Sequence, residues 1–104
     1  MSSLPATPDP DVLAAVTLAC PLVAAMSGGV LGEVATYLPG RRIRGVRIAA
    51  NGVDIHVVGV FGPSITEIVT QVRAAVEPLA AGRTLSVHVD DLKLPPPTRG
   101  PSRA

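Results

Sequence analysis

Between Arg44 and Val89 the spacing of apolar positions changes twice. Val46 and Ile48, then Ile55 and Val57, alternate with Arg47, Asp54 and His56, which is the two-residue period of half-buried strands. Asn51-Gly52 separates the two runs and predicts a two-residue hairpin turn of type I′, with positive φ at both central residues. That turn would pair Ala50 with Val53, Ala49 with Asp54, Ile48 with Ile55, Arg47 with His56 and Val46 with Val57. Val46, Ile48, Ile55 and Val57 then share one face, and Arg47, Asp54 and His56 share the other; a slip of one residue would mix the two sets. Gly62-Pro63 ends the second run, and Ser64-Ile65-Thr66-Glu67 reads as a capping box that starts a helix. Ile65, Ile68, Val69, Val72, Val76 and Leu79 make its apolar stripe. Pro78 falls in the last turn and Gly82 closes it. The last strand alternates, with Leu85, Val87 and Val89 on one side and Ser86, His88 and Asp90 on the other.

Upstream, Asp9 suits a helix cap and Pro10 the first helical position, where no N–H is needed. Val12, Leu13, Val16 and Cys20 recur at helical spacing until Pro21 stops the helix. Leu22 to Met26 predicts a short strand, broken by Ser27-Gly28-Gly29. Val30, Val34 and Leu38 then predict a short amphipathic helix ended by Pro39-Gly40. The fold class expected is α+β, in the order α-β-[short α]-β-β-α-β. Two main helices pack on one face of a three- or four-stranded mixed sheet. If the second hairpin strand and the last strand run parallel, their connection is a right-handed crossover. Residues 9–94 make the single domain, after a disordered leader over 1–8 and before a disordered Pro-rich tail over 95–104.

The composition narrows the function classes. The chain is 47% hydrophobic but has one Tyr, one Phe and no Trp, so the core is aliphatic and stacking platforms for single-stranded nucleic acid are missing. A net charge of +1 gives no global field for DNA or an anionic membrane. One cysteine excludes an internal disulfide and a cysteine-rich zinc site, which fits a reducing cytoplasm. The apolar run from Val12 to Met26 is preceded by Asp9 and Asp11 rather than basic residues and is interrupted by Pro21. It reads as core, not as a signal peptide or a membrane-inserted span.

Candidate chemistry is sparse. Ser27-Gly28-Gly29 followed by a helix has neither the dinucleotide fingerprint nor a Gly-Lys-Ser/Thr phosphate loop, so no cofactor is expected. Cys20 has no cationic neighbour in sequence and reads as an inert core thiol. Arg41, Arg42, Arg44 and Arg47 form the only basic cluster; Arg41, Arg42 and Arg44 are a candidate basic patch for phosphate, anionic lipid or an acidic partner, and the favoured reading is a solvated loop entering an exposed strand face. Arg47, Asp54, His56, Ser86, His88 and Asp90 would share the open sheet face as an interaction surface. The rival reading is a metal or acid–base site using His56 and His88 with Asp54 and Asp90.

The order of these segments resembles a known family. Val23-Ala24-Ala25-Met26-Ser27-Gly28-Gly29, then a short helix, a V-x-I strand, a strand ending in Phe61-Gly62, a helix carrying Gln71-Val72-Arg73-Ala74-Ala75-Val76-Glu77 and a closing Val87 to Leu92 are similar to the alkaline-shock-protein family of bacterial envelope stress response proteins. The similarity covers roughly residues 10–94, a span of single-domain size. Gly32 to Arg42 resembles its actinobacterial branch. Ala24 or Ala25 stands where the family has a glycine, and the family's Lys- and Glu-rich surface is thin here. The resemblance implies a non-enzymatic cytoplasmic protein. It would be held at the membrane by a membrane-embedded partner, self-associate, help the cell tolerate envelope or alkaline stress, and carry no catalytic residues.

Overall fold

In the computed structural model, which describes residues 7–29 and 31–94, the chain starts as its caps predict. The Asp9 carboxylate accepts from the Asp11 N–H at 2.9 Å, and α1 (Pro10–Leu18) follows with Pro10 at its first position. Its core face centres on Leu13 and Thr17, with Cys20 buried just past its end, while Val12 is exposed. The buried Thr17 hydroxyl is satisfied by the Leu13 carbonyl one turn back, at 2.7 Å. The expected short strand is β1 (Val23–Met26).

The short helix expected from Val30 to Leu38 is not formed over its described residues, 31–38. Its place is taken by β2 (Ala35–Leu38) and β3 (Arg41–Arg44), an antiparallel two-stranded sheet pairing Ala35 with Arg44 and Leu38 with Arg41. Pro39 and Gly40 make the turn, and Gly40 takes φ +80°, which glycine adopts without a side-chain penalty. The i, i+4 spacing of Val30, Val34 and Leu38 was coincidental; Thr36 and Tyr37 favour strand and Pro-Gly favours a tight reversal. So the arginines expected in a loop lie in a strand.

β4 (Val46–Ile48), β5 (Gly52–Val60) and β6 (Thr84–Lys93) complete the main sheet with β1. β6 runs parallel to β5 over the whole of β5. β4 pairs antiparallel with the first half of β5 and β1 with the second, so the two short strands lie end to end along the other edge of β5. His56 sits at their junction, where its N–H donates to the Gly45 carbonyl and its carbonyl accepts from the Ser27 N–H, each at 2.9 Å. Gly45 is required there. It has φ +81°, and a Cβ would stand 2.9 Å from the His56 carbonyl oxygen.

The hairpin register differs from expectation by two residues. Val46 pairs with Ile55, Arg47 with Asp54 and Ile48 with Val53. The turn falls on Ala50 and Asn51, and neither Asn51 nor Gly52 has positive φ. The cause is the neighbouring strand: Gly52 is drawn into the ladder opposite Thr84, whose N–H donates to the Asn51 carbonyl at 3.0 Å. A shift of two keeps every side chain on its expected face. Val53, Ile55 and Val57 are fully buried, alternating with half-buried Asp54, His56 and Val58.

The capping box at Ser64 is complete: the Ser64 hydroxyl accepts from the Glu67 N–H at 3.0 Å and the Glu67 carboxylate from the Ser64 N–H at 2.8 Å. It opens α2 (Ile65–Val76), followed by a 3-10 turn over Glu77–Leu79 containing Pro78. Ile68, Val72 and Val76 are fully buried, whereas the ends of the expected stripe, Ile65 and Leu79, are exposed. Both helices pack on the apolar face of the main sheet, joining Leu13, Ile68, Val72 and Val76 to Val46, Val53, Ile55, Val57 and Leu85 in one core. The molecule is thus α+β with two main helices over a mixed sheet. Most of the expected leader and all of the expected tail lie outside the described residues.

Candidate functional site

The face of the main sheet opposite the helices carries the six polar residues singled out in the sequence. Asp54 stands opposite Arg47 on β4 and Ser86 on β6, and His56 stands opposite His88. The Arg47–Asp54 pair corrects the expected Arg47–His56 pairing and sets opposite charges side by side. Because β5 and β6 are parallel and in register here, the two imidazoles rise from the same face and stack. Their ring centroids are 4.2 Å apart and their planes are inclined by 15°.

Each ring faces a carboxylate. Asp90 Oδ2 lies 2.9 Å from His56 Nδ1, and Asp54 Oδ1 lies 3.9 Å from His88 Nε2. An ionised carboxylate only accepts, so the proton of the His56–Asp90 hydrogen bond belongs to Nδ1. Asp90 reaches His56 because of a bulge: Val57 pairs with Val89 but Val58 pairs with Asp91, which leaves Asp90 as the extra residue. The same Asp90 oxygen accepts from the Ser27 hydroxyl at 2.8 Å. Ser27 Oγ in turn accepts from the Gly29 N–H at 3.2 Å. Burial pushes the Asp90 carboxyl up, but the hydrogen bonds from His56 and Ser27 and the charges of His56 and His88 outweigh it and hold Asp90 below the usual carboxylate range.

Ser27 was not foreseen; it comes from the end of β1, 63 positions from Asp90, and no local pattern marks it. The bulge did leave a signal. Asp90-Asp91 interrupts the alternation between inward Val89 and Leu92, as one extra residue in a strand must.

These atoms limit the chemistry. The Ser27 hydroxyl donates to Asp90 rather than to an imidazole, so Ser27, Asp90 and His56 are not ordered as nucleophile, base and orienting acid. Among the described residues no group of three or more His, Cys, Asp or Glu is placed to hold a metal ion. The glycine-rich turn closes on its own groups: the Gly28 carbonyl accepts from the Val34 N–H at 2.8 Å and the Glu33 carboxylate from the Leu31 N–H at 3.0 Å. Cys20 is buried between the two helices, its thiol near the Val16 and Gln71 carbonyls, and desolvation raises its thiol pKa, which makes it less reactive.

The basic cluster is divided. Arg41 makes a bidentate pair with Asp11 of α1, at 2.7 and 2.6 Å. That hydrogen-bonded pairing holds the Asp11 carboxyl below its ordinary value and the Arg41 guanidinium above its own. Arg47 Nη2 donates to the Glu33 carbonyl at 3.1 Å. Arg42 and Arg44 lie on the opposite face of β3 from Arg41, exposed. Comparison with protein families, with curated proteins and with solved structures found no match to this chain.

Proposed function

We propose that this chain is a non-enzymatic protein-interaction or scaffolding module that docks a partner through the open face of its main sheet. The observation that carries the reading is the ordered polar face: helices cover one side of the sheet, while Ser27, Asp90, His56 and His88 are held in register on the other. A face already fixed by its own hydrogen bonds loses little freedom when a partner covers it, which favours binding. Stacked imidazoles flanked by carboxylates offer flat surface, donors and acceptors together. The resemblance to the alkaline-shock-protein family supports the biological setting. In that setting the chain is cytoplasmic, recruited to the membrane by a membrane-embedded partner, self-associating, and active in envelope or alkaline stress. Among the described residues no helix is long and apolar enough to cross a membrane.

The test is affinity capture from both membrane and cytosol with the full chain as bait. A protein enriched by the wild type and lost on His88→Ala is expected. Equal recovery by the wild type and the variant contradicts docking through this face.

The His56–Asp90 contact favours a second reading, a small metal-binding or catalytic domain using His56 and His88. A carboxylate on Nδ1 orients an imidazole and leaves Nε2 to act as ligand or base. Stoichiometric metal in the purified protein, lost on His56→Ala, would replace the interaction reading with this one.

A further inference from the structure

We infer that the β2–β3 hairpin is a reading head for an acidic, extended segment of a partner protein, with Tyr37, Arg42 and Arg44 as its contact residues; this rests on the interaction-module reading above. Tyr37 pairs with Arg42 and Ala35 with Arg44, so Tyr37 and both arginines share one face of the hairpin. The other face is committed to the domain. Ile43 packs against the core, the Thr36 hydroxyl donates to the Val46 carbonyl, and Arg41 is neutralised by Asp11. The hairpin is therefore anchored on one side and exposes Tyr37, Arg42 and Arg44 on the other, where Ala35 is buried.

What it presents is cationic and aromatic. Tyr37 is 69% exposed, although it is one of only two aromatic residues in the chain. Among the described residues neither Arg42 nor Arg44 makes an ion pair or a side-chain hydrogen bond, whereas Arg41, Arg47 and Arg73 each have a partner. The Arg44 guanidinium is not far out in solvent. Its Nε lies 3.1 Å from where a Cβ on Gly28 would be, against the turn that follows Ser27.

The spacing selects the partner. Alternate residues of a strand are about 7 Å apart, so Arg42 and Arg44 match two carboxylates at alternate positions of an extended peptide. Guanidinium forks take carboxylates in two parallel hydrogen bonds, and a tyrosine ring supplies flat apolar area with a hydroxyl at its edge. Nucleic acid fits less well, because its affinity comes mainly from neutralising many backbone phosphates and this face holds two free cations. Anionic membranes are read by clusters of about 4–8 basic residues.

The test is fluorescence anisotropy on the full-length chain at low salt. The probe is a labelled decapeptide of alternating Asp and Val, against the same peptide with Asn for Asp. The acidic peptide should bind and the Asn peptide should not. Arg42→Ala and Arg44→Ala should each weaken binding about threefold to tenfold, Arg42→Lys should recover part of the loss, and Arg73→Ala should change nothing. Three outcomes overturn the inference: equal binding of the two peptides or of neither; variants that bind as the wild type does; or tighter binding of phosphatidylglycerol vesicles or oligothymidylate than of the acidic peptide. A captured partner lost on His88→Ala, with no peptide binding, removes the hairpin inference and leaves the module reading standing. Peptide binding that depends on both arginines, with no partner on the polar sheet face, removes docking through that face and leaves an interaction module that works through its hairpin.

Discussion

Asp90 is the residue on which the polar face depends. It is the extra residue of a bulge, and one of its oxygens serves both Ser27 and His56. Asp90→Asn keeps the shape and removes the charge. It should lower stability by about 1 kcal/mol in urea titration, the usual net worth of a hydrogen bond. The pH dependence has a definite sign. The folded chain holds this carboxyl below its ordinary value, so its contribution is complete above the unfolded-chain pKa and is lost as pH falls through the folded one. Wild-type stability measured from neutral to acid pH should therefore fall along a limb that Asp90→Asn flattens; parallel curves would show that the contact contributes nothing. Gly45 is the second critical residue. Gly45→Ala forces a side chain into positive φ against the His56 carbonyl and should cost about 1–3 kcal/mol, with its effect centred on the β1–β4 junction in amide exchange.

Single elements differ in how much of them the sequence reveals. The caps of α1 and α2 were legible because they depend on residues a few positions apart: Asp9 with Pro10, and Ser64 with Glu67. Ser64→Ala should accordingly lower the thermal midpoint by an amount equivalent to about 1 kcal/mol. The faces of β5 and β6 were legible because alternation survives the two-residue shift in pairing. The shift itself was not, since Thr84 decides it from a distant strand by taking the Asn51 carbonyl. The segment from Val30 to Leu38 is ambiguous in sequence, because its apolar spacing fits a helix while Pro39-Gly40 fits a hairpin, and the turn decides. The placement of Ser27 beside Asp90, like that of Asp11 beside Arg41, was hidden because each is a product of tertiary packing.

At the scale of the molecule, one aliphatic core holds the two helices to one face and leaves the other for contact. Ile68 is fully buried at the centre of that core. Ile68→Ala should cost about 2–5 kcal/mol in denaturant unfolding, several times the effect of any single polar-face change. That separation lets the polar face be altered while the domain stays folded, so its role can be measured directly. A photo-crosslinking amino acid placed at His88, or in separate cells at exposed Ala74 on the outer side of α2, reports which surface meets other proteins in vivo. The account predicts a discrete protein adduct from position 88, absent from position 74. Adducts from position 74 alone, or none from position 88, would contradict it.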